Sequence, residues 1–315
     1  MSFAVLHAGF QTTVQDLGRY GYLRAGIPPS GPMDRHAFVI ANRLVGNDDN
    51  AAELECAFLG PRLECQTDTW IAVTGAEVDL RINGKLEVLW TALRIRSGDV
   101  IQIGPARNGC WTYLAISGGI DVPPVLGSRS TYSRGSLGGT EGRALKNGDL
   151  LPLKAILRGH DSLQGRQILS QYKPSFPAEV EVRVILGPQE DYFTPDGIGT
   201  FLSGTYEVTH KIDRMGYRLE GPPIAHRTGP DIISDGIPSG GIQVPGDGQP
   251  MILLVDRQST GGYSKIASVI SVDIGVVAQA QPGRRIRFRS VTLTEAHRIL
   301  RKAEAGLVKI IEGQS

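Results

Sequence analysis

Apolar and polar residues alternate in short runs along most of the chain, and glycine-containing turns separate the runs. In the clearest case, residues 78–88, two alternating arms flank Asn83-Gly84. Because Asn-Gly accepts the positive φ angles of a type I′ turn, this segment is predicted to be a β-hairpin. Similar turn residues precede short apolar runs after 97–99, 147–149 and 282–283. The pattern predicts a mainly β fold of small barrels or sandwiches rather than a βαβ sheet.

Helical periodicity is confined to a few segments. Between Asp34 and Val45 the apolar residues fall on one helical face, and Gly46 supplies a C-terminal stop. Near the end of the chain, Thr292 to Glu295 has the pattern of a capping box and precedes a second apolar stripe. We therefore expect a few short helices, the last of them packed on the outside of a barrel.

The length of 315 residues exceeds the usual size of a single hydrophobic core, so two domains are expected. The least apolar connecting stretch is 158–175, and a strand-like run begins at Val180. We predict an N-terminal β-barrel domain of residues 1–170 and a C-terminal β-barrel domain of residues 171–315 that carries the last helix.

Charge and composition exclude several classes of partner. Lysine plus arginine number 33 against 32 acidic residues, so no long-range field favours nucleic acid. The N-terminus has no signal-peptide pattern, and no apolar run is long enough to span a bilayer; a cytoplasmic location is expected. The 3 cysteines are irregularly spaced among apolar residues and are predicted to be reduced core thiols.

Standard catalytic signatures are missing: the chain has no Walker A loop, no dinucleotide fingerprint, no GxSxG elbow and no HExxH. The 6 histidines have no ligand spacing, so no metal site is expected. The candidates that remain are polar, glycine-rich tracts.

The first candidate tract runs from Thr12 to Asp34. Prolines and glycines fix the backbone before the first predicted helix, so Ser30 and Asp34 lie near free amides able to hold an anion. Alternatively, one of these residues is only a helix N-cap, and Asp16 with Arg19 is a structural ion pair.

Two further tracts carry candidate charges and amides. Asp213 and Arg214 belong to DRMGYRL, which could clamp a carboxylate or phosphate or could be a solvated strand end. Gln243 lies between Ile242 and Val244 in a stiff glycine- and proline-rich loop. It is either exposed on an edge strand or a buried amide that needs a partner.

A fourth tract follows the apolar run 251–255. A buried strand that ends in an acid, a base, an amide and hydroxyls before Gly-Gly is a rigid support for functional groups, although a plain polar loop is the alternative. The candidates are Asp256, Gln258, Thr260, Gly261, Gly262 and Tyr263.

These tracts occur in an ordered set that covers residues 9 to about 290: TTVQDLGR, GIPPSGPMD, ANRLVGN, GGI, GGTEGR, GPQEDYF, DRMGYRL, GGIQVP and DRQSTGGY. The set resembles the biotin-dependent carboxyltransferase family, which includes the C subunit of 5-oxoprolinase, the KipI antagonist, allophanate hydrolase subunit 2 and the carboxyltransferase part of urea carboxylase. The resemblance implies two cyclophilin-like β-barrel domains with a few short helices and a substrate cleft between them.

The resemblance also implies a function. Members of this size pair with a KipI-like B subunit, and the pair works with a lactam-opening A subunit to convert 5-oxoproline to glutamate with ATP. On this hypothesis the chain is part of a hydrolase and is active only in the complex; Asp16, Asp213 and Asp256 orient or deprotonate the lactam, and Arg19 and Arg214 hold negative charge.

Two alternatives stay open. The chain could transfer a carboxyl group from biotin, on a separate carrier, to a urea-like or amide substrate. It could also bind a KipI-like kinase inhibitor without catalysis. One tract departs from the family pattern: the expected QTTGGYP is Gln258 to Ser264, QSTGGYS, which leaves the identity of the substrate open.

Overall fold

The computed structural model describes residues 1–154 and 163–312, which form two compact units. The first unit contains residues 1–19, 30–175 and 306–315, and the second contains 20–29 and 176–305. Along most of the chain the division falls between Ser175 and Phe176, while the segment 20–29 belongs to the second unit. Residues 155–162 of the predicted connecting stretch lie outside the described residues.

The first unit contains eleven strands and one complete α-helix among its described residues. In chain order they are β1 (Ser2–His7), β2 (Gln11–Gln15), α1 (Arg35–Leu44), β3 (Glu53–Ala57), β4 (Arg62–Cys65), β5 (Thr69–Glu77), β6 (Leu80–Ile82), β7 (Lys85–Glu87), β8 (Leu93–Ile95), β9 (Val100–Ile103), β10 (Asn108–Ile116) and β11 (Leu150–Pro152).

The described part of the second unit contains nine strands and three α-helices, the last of which continues into residues 306–312 of the first unit. They are β12 (Glu179–Leu186), α2 (Pro195–Ser203), β13 (Thr205–Ile212), β14 (Gly216–Glu220), β15 (Asp231–Gly236), β16 (Gly241–Gln243), β17 (Met251–Leu253), β18 (Thr260–Tyr263), β19 (Lys265–Val269), α3 (Ile274–Ala278), β20 (Arg285–Ser290) and α4 (Leu293–Glu312).

The strands of the first unit form two sheets that share one core. A six-stranded sheet has the order β11-β1-β4-β9-β6-β7, and a five-stranded sheet has the order β2-β3-β10-β5-β8. Alternate residues of both sheets, among them Phe3, Leu54, Leu63 and Leu114, are buried in a single apolar cluster. Because only one face of each strand enters this cluster, the other face of the five-stranded sheet is available for polar side chains.

The predicted hairpin at 78–88 is confirmed. β6 and β7 pair around Asn83 and Gly84, whose φ angles of +50° and +82° match the expected type I′ turn. The first predicted helix is also confirmed as α1, which follows Asp34 as N-cap and ends before Gly46 at φ +75°.

The second unit is a closed barrel of β12-β19-β16-β17-β14-β13-β20, with β15 and β18 as a separate two-stranded ribbon. The parallel pair β12–β20 closes the ring. The predicted capping box starts α4, where the backbone N–H of Glu295 donates to Thr292 Oγ1 (3.2 Å), and Ala296 and Ile299 pack on an apolar cluster with Ile185 and Ile270. The predicted mainly β class with few helices is confirmed.

All three cysteines are buried and free, as the sequence predicts. Burial raises the pKa of the Cys56 thiol to about 12, and the Sγ of Cys65 donates to the carbonyl oxygen of Thr67 at 2.7 Å. Thiolate formation is therefore suppressed in the folded state, since only the thiolate is a strong nucleophile.

We expect the native protein to react slowly with a thiol reagent such as 5,5′-dithiobis(2-nitrobenzoate), because the buried thiols must wait for the core to open. The same protein in denaturant should react promptly at all 3 positions. The released chromophore, followed with time at about pH 8, where an ordinary thiol is partly ionised, measures both rates. Rapid reaction of a native cysteine would contradict the core assignment.

Candidate functional site

Asp16 organises a loop of the first unit. Its side chain is buried; Oδ1 accepts from Gly18 N (3.0 Å) and Ser130 Oγ (2.7 Å), and Oδ2 accepts from the backbone N–H of Arg129 (2.6 Å). The hydroxyl of Ser128 also donates to Oδ1. A carboxylate with this many donors holds segment 128–130 against the end of β2.

Arg19 binds backbone carbonyls of the same region. The residue is 1% exposed, and its guanidinium donates to the carbonyl oxygens of Ser130 and Val125. Gly138, from the GGTEGR tract, packs closely on this contact, since a Cβ there would lie 2.1 Å from Ser130 O and 2.6 Å from the Arg19 guanidinium. Position 138 requires glycine for two reasons: a Cβ would collide with these two groups, and the φ angle of +66° is one that other residues rarely adopt.

Asp34 is the N-cap of α1, with Oδ1 accepting from His36 N and Ala37 N at 3.1 Å. Capping was one of the two hypotheses for this tract. Ser30, at φ +56°, lies near Arg19, whose Nη1 is 3.5 Å from the Ser30 hydroxyl.

The sequence analysis missed two buried glutamates on β3. Glu55 accepts from Met33 N (2.7 Å) and from the Tyr113 hydroxyl (2.8 Å), and that hydroxyl accepts from Asp34 N (2.7 Å). This network holds the GIPPSGPMD tract on the five-stranded sheet. The signal available in the sequence was the run Glu-Leu-Glu, which alternates like a half-exposed strand although both acids are 0% exposed.

Glu53 has no such network. It lies opposite Gln15 in the β2–β3 pair, and both Glu53 carboxyl oxygens and Gln15 Oε1 are buried without a hydrogen-bond partner. Burial, reinforced by the negative charge of Glu55, raises the pKa of Glu53 well above the usual range. The neutral acid is therefore favoured in the folded protein.

We expect Glu53→Gln to stabilise the protein increasingly as pH rises. Above the ordinary glutamate pKa, folded Glu53 keeps a proton that the unfolded chain releases, so wild-type stability falls with pH while the amide has no proton to lose. The melting temperature of the variant should exceed that of the wild type by about 2–4 °C at neutral pH, with the difference shrinking toward about pH 4.

Thermal unfolding followed by circular dichroism from about pH 4 to 8 provides the measurement. Glu64→Gln, the same substitution at a half-buried position of β4, is the matched control and should show no comparable pH trend. A difference for Glu53→Gln that stays constant with pH would contradict the raised pKa.

In the second unit, Arg214 and Asp256 form a buried bidentate ion pair. Arg214 Nε donates to Asp256 Oδ2 at 2.7 Å and Nη2 donates to Oδ1 at 3.2 Å, with the two residues 5% and 7% exposed. The backbone N–H of Asp256 also donates to Arg214 O (2.9 Å). The pair therefore joins the DRMGYRL and DRQSTGGY tracts at one point.

Asp213 occupies a different environment. It is exposed, its Oδ1 accepts from Met215 N (2.7 Å) and Gly216 N (3.2 Å), and it lines a surface groove of about 290 Å³. The other residues of the groove are His210, Lys211, Ile212, Met215, Gly216, Arg218, Met251 and Leu253.

Gln243 is a completely buried amide with an unused acceptor. Its Nε2 donates to Tyr263 O at 3.1 Å, while Oε1 is buried without a partner. Gly261 approaches this amide so closely that a Cβ would lie 2.7 Å from Nε2. Of the two sequence hypotheses for Gln243, the structure shows the buried amide.

The other candidates of the fourth tract surround Gly261. Gln258, Thr260 and Tyr263 are exposed, and Gly262 is half-buried. Ser264, which stands where the family pattern has proline, donates its backbone N–H to Pro230 O at 2.8 Å, a bond that proline cannot make. Its hydroxyl is buried without a partner.

Lys265, which the sequence analysis also missed, is 0% exposed. Its Nζ lies 3.4 Å from Asp235 Oδ2, and Gln189 joins them by donating to that same oxygen (3.3 Å) and by accepting from Lys265 N (3.1 Å). The backbone N–H of Gly236, followed by the charge of Lys265, holds the pKa of Asp235 below its usual value. We call Gln189, Asp235, Gln243 and Lys265 the Lys265 cluster.

The structure thus brings Asp16, Arg19 and Ser30 together in the first unit and Arg214 with Asp256 in the second. The convergence of Asp16, Asp213 and Asp256 on a shared cleft stays a prediction. No group of three or more potential metal ligands and no helix able to cross a membrane occurs in 1–154 or 163–312.

We expect the Arg214–Asp256 pair to be strongly non-additive on mutation. Asp256→Ala leaves a buried guanidinium without its carboxylate and should lower the free energy of unfolding by about 3–5 kcal/mol, whereas replacing both residues by apolar ones should cost far less. Urea unfolding of Asp256→Ala, Arg214→Met and the double variant Arg214→Met/Asp256→Leu tests this. Equal and additive losses would show that the two side chains act independently.

Comparison with known proteins places the chain in a family. It belongs to the family of the carboxyltransferase domain, subdomain A and B, whose model matches residues 25–290. It is 38% identical to the C subunit of 5-oxoprolinase from Escherichia coli over 93% of this chain and 92% of that protein. It is 36% identical to urea amidolyase of Lachancea kluyveri over 99% of this chain.

Among solved structures, urea carboxylase of Kluyveromyces lactis superposes with a TM-score of 0.93 at 33% identity over 99% of this chain. This chain spans 18% of the Lachancea urea amidolyase and 29% of the Kluyveromyces urea carboxylase chain. It therefore matches nearly the whole of the oxoprolinase protein but only a portion of the larger enzymes.

Proposed function

We propose that this chain is the C-type subunit of an ATP-dependent 5-oxoprolinase, which opens 5-oxoproline to glutamate together with a KipI-like protein and a lactam-opening protein. The proposal is supported by the correspondence with the C subunit of 5-oxoprolinase over 92% of that protein's length. A small cyclic amide is then the ligand that the chain must recognise.

The structural observation that carries the proposal is the unused carbonyl oxygen of Gln243. A buried acceptor without a partner is costly, at about 1–3 kcal/mol, and a ligand N–H would satisfy it. The ring of 5-oxoproline offers such an N–H beside its carbonyl group. Gly261 packs directly on the amide, because a Cβ there would lie 2.7 Å from Gln243 Nε2 and 2.7 Å from Ile237 Cδ1.

Within this proposal the predicted acids have different roles. Both carboxylate oxygens of Asp16 and of Asp256 accept hydrogen bonds, and the two residues position the loops around them. Asp213 is exposed in its groove and is the carboxylate best placed to accept a proton from a substrate. Arg214 holds the negative charge of Asp256, whereas Arg19 donates to the neutral backbone carbonyl oxygens of Val125 and Ser130.

Among the described residues, the buried arginines of either unit taken alone are not free to hold ATP. Arg19 and Arg257 bind backbone carbonyl oxygens, and Arg214 binds Asp256. A triphosphate needs several donors that converge on it, and these donors are committed elsewhere. We therefore assign ATP to the assembled complex and derive no step through it.

Carboxyl transfer is the second candidate, favoured by the TM-score of 0.93 with urea carboxylase. The ureido ring of biotin carries N–H groups beside a carbonyl, so Gln243 Oε1 would suit it as it suits a lactam. Biotin would supply an activated carboxyl group in that reaction. A third candidate, sequestration of a KipI-like kinase inhibitor, needs association without turnover.

We expect glutamate to form from 5-oxoproline and ATP only when the chain is mixed with a KipI-like and a lactam-opening partner. Gln243→Leu removes the acceptor while keeping the bulk and should lower kcat/KM by about 10–100-fold. Gln102→Leu, at an exposed position of β9, is the matched control.

Glutamate release, with each protein omitted in turn, is the readout. A complete mixture that makes no glutamate would dismiss the oxoprolinase proposal. Carboxylation of urea after addition of a carrier whose biotin is already carboxylated, and which is returned as free biotin, would favour the second candidate. Full activity of Gln243→Leu would remove this amide from the site. Complex formation without either reaction would point to sequestration.

A further inference from the structure

Lys265 is a buried cation with an incomplete set of partners. An ammonium group has three N–H donors, and its one polar contact among the described residues is Asp235 Oδ2 at 3.4 Å. Taking an ammonium group out of water is expensive unless it is paired and fully hydrogen-bonded. The Lys265 side chain is nevertheless 0% exposed. An anion bound beside its ammonium group would supply the hydrogen bonds that Asp235 alone does not.

Asp235 is a weak and replaceable partner. Its side chain is 56% exposed and lies on β15, in the ribbon outside the barrel. The carboxylate is already solvated and also contacts Gln189 Nε2 at 3.3 Å and the backbone N–H of Gly236 at 2.6 Å. A carboxylate that arrives with a ligand can therefore take its place at Lys265 without leaving Asp235 stranded.

The unused acceptor of Gln243 lies beside this cation. Gln243 and Lys265 are partners in the antiparallel β16–β19 pair, at a bulge that follows Ile242, so the two residues lie on adjacent strands. The cluster thus offers one hydrogen-bond acceptor and one positive charge on neighbouring strands of a rigid barrel.

We propose that Lys265 binds the substrate carboxylate and selects 5-oxoproline over cyclic amides that lack an acid group. In 5-oxoproline the carboxylate is attached to the carbon next to the ring nitrogen, so its N–H and its negative charge are adjacent. Gln243 Oε1 accepts from the N–H and Lys265 Nζ donates to the carboxylate. This inference rests on the proposed function, since a urea or a biotin ring has no carboxylate at that position.

Binding on this proposal is an exchange of anions. The ligand carboxylate replaces Asp235 at Lys265, while Asp235 turns to water and keeps its contact with Gly236 N. Asp235 thus competes with the substrate. If Lys265 and Asp235 formed a purely structural ion pair, removing either side chain would raise KM. On this proposal, removing Lys265 raises KM and removing Asp235 lowers it.

The test uses the assembled complex with 5-oxoproline as substrate and 2-pyrrolidinone, the same lactam without the carboxylate, as competitive inhibitor. Lys265→Met should raise KM for 5-oxoproline by about 10–100-fold and leave the inhibition constant of 2-pyrrolidinone unchanged. Lys265→Arg should recover part of the affinity, and Asp235→Asn should lower KM. Lys85→Met, which removes an exposed ammonium from β7, is the control.

Folding of Lys265→Met is expected, because methionine fills a similar volume without a buried charge and Asp235 stays solvated; melting temperatures check this. Equal losses for both lactams, an unchanged KM in Lys265→Met, or a raised KM in Asp235→Asn would overturn the proposal. A wild-type complex that neither opens nor binds 5-oxoproline would dismiss the proposed function itself, whereas turnover indifferent to Lys265 would dismiss only this inference.

Discussion

Polar side chains buried on β-strands and in the loops that follow them impose the constraint on which both units depend. Such a group must find hydrogen bonds inside the protein or destabilise it. Asp16 and the Arg214–Asp256 pair meet the requirement completely and thereby fix the loops that carry the polar tracts of the sequence. Gln243 meets it only in part, because its Oε1 has no hydrogen-bond partner. Residues whose hydrogen bonds are all made within the protein hold the structure in place, whereas Gln243 can still accept a hydrogen bond from a ligand.

Local pattern predicted much of the fold. The Asn83-Gly84 hairpin, α1 with its Asp34 cap and the capping box of α4 depend on short-range geometry, so the sequence contains all the information they need. Closure of the second barrel depends on pairing between β12 and β20, about a hundred residues apart. The local periodicity of apolar residues carries no information about which distant strands pair. That part of the architecture rested on the family resemblance.

The candidate site was predicted unevenly for a related reason. The sequence identified Gln243 as a candidate because an amide between two apolar residues is unusual, whether it is exposed on an edge strand or buried. Lys265 and Glu53 were missed because a charged residue in an alternating run normally marks the solvent face of a strand. Both residues are buried by other segments of the folded chain. The local sequence pattern of a strand does not show which segments will cover it.

The position of β20 also governs how the second unit is made. This strand pairs with β12, the first strand of the barrel, and with β13, so both stay open at one edge until Arg285–Ser290 is available. On a ribosome, that segment is synthesised after every other strand of the barrel. The growing polypeptide must therefore keep two incomplete strand edges from associating with other chains until the barrel sequence has been translated.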